Sequence, residues 1–193
     1  MGEAKARVRP FNDHTHRLLK LALPSKSRVL DAGCGLGQIA FWLAEDGGHC
    51  VYAVDPRLPL PSARWHAVSD LSGGKVMLMN SRIEQLPRPL PAFECVLALG
   101  LLHALGSSHA VNAVLGRLSE STLAGGRLAI SWLVTTHQDG KRSEAHHPTV
   151  DEVARRLVAV NIHTTERWMV EAAHSHGGSA HTHTVAYLLA RKG

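Results

Sequence analysis

Aromatic side chains are scarce in this chain, with two Tyr, three Phe and four Trp among 193 residues. So few rings give little support to a groove that stacks the bases of a nucleic acid. Cysteine is scarcer still: Cys34, Cys50 and Cys95 are odd in number and never fall in C-x-x-C spacing. That argues against a disulfide framework and for reduced thiols serving as small core residues. No apolar run is long enough to span a bilayer, and residues 1–5 lack the apolar segment of a signal peptide, so a cytoplasmic protein without a membrane partner is expected. The net charge of +5 suits an anionic partner, but apart from Lys5-Ala6-Arg7-Val8-Arg9 the basic residues are scattered. Repeats and low-complexity linkers are also missing. Residues 1–10 are expected to be flexible, and 11–193 to form one domain with a sizeable core.

The stretch Arg28-Val29-Leu30-Asp31-Ala32-Gly33-Cys34-Gly35-Leu36-Gly37-Gln38 organises the rest. It reads as a short apolar strand ending on an aspartate, a glycine turn, and then a helix with Ile39, Trp42 and Leu43 on one face. Strand, glycine turn and helix bring backbone N–H groups and a helix N-terminus up to a ligand, where side chains would block the approach. The next strand, Cys50-Val51-Tyr52-Ala53-Val54, ends on Asp55, roughly 20 residues past the glycines, where a carboxylate can accept hydrogen bonds from a ribose diol. A dinucleotide fingerprint requires a third glycine where Gln38 stands.

The pattern D-x-G-x-G-x-G from Asp31 to Gly37, followed by Val54-Asp55, resembles motifs I and II of the class I S-adenosylmethionine (SAM) dependent methyltransferases. Further along, Asn80-Ser81-Arg82-Ile83-Glu84-Gln85-Leu86-Pro87 resembles the family's D-A-E-x-L-P segment, with Arg82 where an aspartate commonly accepts the adenine amino group. The run from Phe93 to His103 resembles motif IV, and Leu123-Ala124-Gly125-Gly126-Arg127-Leu128 the L-x-P-G-G-x-L turn, with alanine in place of proline. The tail through Leu189-Ala190-Arg191-Lys192 is similar to that of the tellurite-resistance methyltransferases. The resemblance implies an α/β, Rossmann-like seven-stranded sheet with helices on both faces and an antiparallel last strand. It also implies SAM as cofactor, held by Asp31, Gly33, Cys34, Gly35 and Gly37 around the turn. Asp55 and Pro56 follow the second strand, Ser81, Arg82 and Ile83 lie beside the adenine, and Leu99 near the sulfonium. In the family the first acid holds the methionine end and the second the ribose. The implied partner is a small-molecule methyl acceptor.

Local signals place the other elements. Asn12 or Asp13 caps a helix over 11–23, a short helix is expected within 63–71, and Lys75-Val76-Met77-Leu78-Met79 is a strand. Ser107-Ser108 caps a helix from His109 to Leu118, 134–148 is expected to be a loop over the pocket, and Thr149 with Glu152 has capping-box spacing. Two strands, about 162–171 and 181–189, finish the chain.

Eight of the fourteen histidines follow residue 136. If the chain ends in a hairpin, His174 faces His183 and His176 faces His181, with all four on one side. His103, His137, His146 and His147 follow strand ends at the same rim. Three roles stay open: a general base, a metal or soft-ligand site, or ordinary polar loop residues. As base, His103 comes first, with His174 or His176 behind it. No cysteine or acid accompanies His174, His176, His181 and His183, so a resident metal is not expected there. A thiolate or chalcogen acceptor would need no base, whereas a natural-product hydroxyl or amine would be assisted by one. A SAM- or metal-sensing module without turnover is the alternative outside enzymes.

Overall fold

The structure, a computed structural model, describes residues 11–61, 65–68, 74–89, 91–138, 141–142, 147–176 and 179–193, and at 136–138, 141–142, 173–176 and 179–181 the backbone path alone. The expected flexible segment 1–10 and His146 lie outside the described residues. In chain order the elements are α1 (Asp13–Ala22), β1 (Arg28–Ala32), α2 (Gln38–Gly47), β2 (Cys50–Val54), β3 (His66–Val68), β4 (Lys75–Met79) and β5 (Phe93–Leu99). There follow α3 (Ser108–Ser121), β6 (Thr122–Gln138), β7 (Lys141–Arg142), α4 (Val150–Ala159), β8 (Ile162–His176) and β9 (Ser179–Lys192).

Strand β1 is apolar on both faces because both are covered. Val29 and Leu30 are each fully buried, yet Val29 packs with Leu18, Leu19 and Leu43 of α1 and α2, and Leu30 with Val111, Leu115, Val153 and Leu157 of α3 and α4. That two-sided burial is what a parallel strand between helical layers requires. β1 pairs in parallel with β2 and β5, β2 with β4, and β5 with β6, while β9 runs antiparallel to both β6 and β8. The order along the sheet is β3-β4-β2-β1-β5-β6-β9-β8, with β7 attached to β6. Removing β3 and β7 leaves the seven strands that the resemblance implies, the last one antiparallel.

The caps read from sequence are formed. The Asn12 side chain accepts from the Thr15 N–H at 2.8 Å, Ser107 from Ala110 at 3.2 Å, and Thr149 and Glu152 close a reciprocal box. Among the described residues no helix is long and apolar enough to cross a membrane.

Four expectations are corrected. The described part of 63–71 holds a strand, β3, because the outer edge of β4 accepts an antiparallel partner at His66↔Leu78 and Val68↔Val76. The segment from Val134 to Gln138 is not loop: β6 continues through it, paired with β9 as far as Gln138↔His181. β8 and β9 accordingly run past their expected ends. The final hairpin is two residues tighter than expected, with His174 opposite His181, His176 opposite Ser179, and His183 opposite Ala172.

Candidate active site

Two carboxylates end neighbouring parallel strands. Asp31 lies in β1 next to Ala32, and Asp55 follows the last residue of β2. The turn between β1 and α2 is pinned to β2, since the N–H groups of Gly33 and Cys34 both donate to the Val54 carbonyl, at 2.8 and 3.1 Å. Gly33, Gly35 and Gly37 all have positive φ (75°, 60° and 84°), and Gly37 starts α2 in that left-handed conformation. The turn needs glycine for its backbone before any ligand is considered.

Asp31 is 2% exposed, and its Oδ2 has no hydrogen-bond partner among the described residues. Burial, and then the nearby charge of Asp55, push its carboxyl up to about 7. Asp55 is buried to a similar degree but well provided with donors. Its Oδ2 accepts from the Gly35 N–H at 2.9 Å, and its Oδ1 from the Arg57 backbone N–H at 2.8 Å and Nε at 3.0 Å. Burial alone would raise the Asp55 carboxyl, but these hydrogen bonds outweigh it and hold the group below the usual carboxylate range. The two acids thus differ: one is ionised and satisfied, the other is buried with no cation paired to it among the described residues. Cys34 beside them is pushed far up by burial and then by both aspartates, so it remains a thiol.

A cleft of about 410 Å³ opens beside Asp55, lined by Gly33, Val54, Asp55, Pro56 and Arg57 on one side, by Ser81, Arg82, Ile83 and Glu84 on another, and by Gly100, Leu101, His103, Ala104 and Leu105 after β5. That size suits a small-molecule ligand. Of the residues anticipated for the cofactor, Gly33, Asp55, Pro56, Ser81, Arg82 and Ile83 line the cleft; Asp31, Cys34, Gly35, Gly37 and Leu99 do not. Of the expected histidines, His103 lines it. The side chains of His174, His176 and His181 lie outside the described residues, and His183 is half-buried close enough for its charge to act on His103. Among the described residues no group of three or more His, Cys, Asp or Glu is arranged to hold a metal ion.

Sequence reasoning missed Arg57. Its Nη2 also reaches Asp55 Oδ2 at 3.2 Å, so the guanidinium covers the carboxylate expected to meet a ribose. The signal was a cation two residues past the motif II acid. The arginine side chain is 75% exposed, so the pair is weak and readily displaced. Arg57→Ala is therefore expected to strengthen SAM binding by no more than about fivefold in a calorimetric titration. A several-fold weakening would show Arg57 to be a ligand of the cofactor instead.

No curated protein matches the chain. Among solved structures it is similar to a SAM-dependent methyltransferase from Methanosarcina mazei at 16% identity (TM-score 0.67; 94% of this chain and 98% of that one). It is similar to TehB from Haemophilus influenzae at 14% identity (TM-score 0.68; 96% and 64%). A third is the Burkholderia thailandensis 1,6-didemethyltoxoflavin-N1-methyltransferase, solved with bound 1,6-didemethyltoxoflavin and S-adenosylhomocysteine, at 22% identity (TM-score 0.63; 92% and 76%). At these identities the likeness is one of fold. The methyltransferase-domain family profile, by contrast, matches residues 29–126, just over half of the sequence and the whole span from β1 to the turn within β6. The chain therefore belongs to the methyltransferase-domain family.

Proposed function

We propose that this methyltransferase takes its methyl group from SAM and passes it to a small-molecule acceptor in the cleft after β5. The observation that carries the reading is Asp31: a fully buried carboxylate oxygen without a partner, next to a second carboxylate, is a place for a cation, and SAM brings both an ammonium and a sulfonium. Asp31 would hold the ammonium, Asp55 the ribose, and Ser81 with Ile83 the adenine edge. Bound there, SAM supplies an electrophilic methyl group on sulfur. The chain's part is to hold that group and the acceptor in line and to keep water out. Two acceptor classes follow from the sequence, a soft anion such as a thiolate or chalcogen species, and a natural-product hydroxyl or amine. The imidazole in the cleft wall favours the second, because only that class gains from a proton-handling group.

The test is a titration with SAM and S-adenosylhomocysteine between pH 5 and pH 8. Binding a cation at Asp31 requires the ionised carboxylate, and in the free protein that group titrates near 7. Affinity is expected to be level above pH 7 and to fall by about tenfold per pH unit below it. A flat profile would remove Asp31 as the partner of the ammonium. No binding at any pH would remove SAM.

A further inference from the structure

The last pair between β5 and β6 is Leu99↔Ser131, and the Ser131 carbonyl still accepts from the Gly100 N–H at 2.8 Å. Leu133, two residues farther along β6, turns its N–H and C=O to the same side, where β5 has already ended. Two imidazoles take the place of the missing strand. The Leu133 N–H donates to Nδ1 of His103 at 3.4 Å, and Nδ1 of His147 pairs with the Leu133 carbonyl at 2.9 Å. The rings are parallel to within 1°, their centroids 6.3 Å apart. His147 is held in place by its neighbour, since the Pro148 carbonyl accepts from Nε1 of the buried Trp132 at 2.8 Å.

These bonds set opposite tautomers. His103 accepts at Nδ1, so its proton sits on Nε2; His147 donates from Nδ1, so its Nε2 carries a bare lone pair. A ring anchored through Nδ1 presents Nε2 on its far side, here away from β6 and over the end of β5. Of the two, His103 lines the cleft, together with Gly33 and Asp55. Burial, and then the nearby His147 and His183, hold it below the ordinary imidazole range, so it stays a neutral donor.

We propose that His103 and His147 together form the acceptor subsite, His103 Nε2–H binding a hydrogen-bond-accepting atom of the substrate and His147 Nε2 taking the proton from the adjacent nucleophile. The acceptor class is then a hydroxy- or amino-substituted heteroaromatic, with an O–H or N–H next to a carbonyl or ring nitrogen. In the step, the acceptor's O–H or N–H bond breaks, its proton passes to His147 Nε2, and the freed electron pair becomes the bond to the transferred methyl. The donor leaves as a neutral thioether, and its positive charge ends on the imidazolium of His147. This assignment rests on the methyltransferase reading above.

The test has two arms. Long-range ¹H–¹⁵N spectra of the full chain at pH 8, assigned with His103→Gln and His147→Gln, should find the proton of His103 on Nε2 and that of His147 on Nδ1. Any other pairing of tautomers overturns the proposal. With methyl-labelled SAM, 8-hydroxyquinoline should be methylated. His147→Gln should lower kcat by about a hundredfold or more and remove the fall in kcat toward low pH, while His103→Gln should raise the KM for the quinoline and keep that fall. Methylation of thiophenol alone, or a His147→Gln enzyme that keeps its kcat and its pH profile, overturns the proposal. Calorimetry separates the two levels: SAM should bind His147→Gln as it binds the parent, and a parent that does not bind SAM refutes the donor assignment rather than the imidazole pair.

Discussion

Asp31→Asn is expected to lose SAM affinity by at least about a hundredfold, yet to unfold at a higher temperature than the parent at pH 8. The two effects share one cause. In the folded, ligand-free protein the Asp31 carboxyl titrates near 7 instead of its ordinary 3.8, because burial and Asp55 both oppose its ionisation. The folded state therefore binds more protons than the unfolded chain between those values, and stability falls as pH rises through that window. Above pH 7 the accumulated cost is on the order of 4 kcal/mol. Asparagine has the same shape and no charge, so the variant avoids that cost, less about 1–3 kcal/mol for an amide group left without a partner. Its advantage in melting temperature should be largest above pH 7, shrink as pH falls, and vanish between about pH 4.5 and about pH 6, where the remaining cost of ionisation equals that of the amide. Affinity moves the other way, since an amide offers no charge to an ammonium. A structural aspartate would give the opposite melting result, so a variant less stable than the parent at pH 8 would refute the functional assignment.

What was legible in the sequence was mostly what is local. The β1–turn–α2 unit declares itself in eleven residues, because a strand, an acid and three glycines at fixed spacing have few other uses. The same holds for the helix caps at Asn12, Ser107 and Thr149, where donor and acceptor are three residues apart. What failed depended on partners elsewhere. His66–Val68 has no strong strand signal, and its pairing comes from an open edge on β4. The polar residues after Val134 look like loop until β9 is present to pair with them. His103 was found as a cleft residue by its place after β5, but the role of its Nδ1 could not be read. It depends on where β5 stops relative to Leu133, a matter of register between distant strands. Arg57 fell between these cases, since its partner is close in sequence but reached only through the bend after Asp55.

The same substitution at two glycines should separate the parts of this site that serve the fold from those that serve the ligand. At Gly74, which leads into β4, an added Cβ would lie 2.2 Å from the His49 carbonyl oxygen and 2.7 Å from that of Ala44. Both are backbone atoms, one ending α2 and the other accepting from the Lys75 N–H that starts β4, so neither can yield without shifting its element. Gly74→Ala is expected to cost about 3 kcal/mol or more and to lower the melting temperature by about 10 °C. At Gly35 the added Cβ would meet only the Arg57 guanidinium, at 3.6 Å, the far end of an exposed side chain. The cost there is the positive φ, about 1–2 kcal/mol, or a few degrees. The new methyl group would nevertheless stand against the guanidinium that covers Asp55, on the residue whose N–H that carboxylate accepts, and would crowd a ribose that displaced the arginine. Gly35→Ala should thus fold and lose more than about tenfold in SAM affinity, whereas the Gly74→Ala protein that remains folded should bind SAM normally. Equal losses of stability at the two positions, with SAM affinity unchanged at Gly35, would reduce the glycine turn to a piece of architecture and leave the cleft above it without its floor.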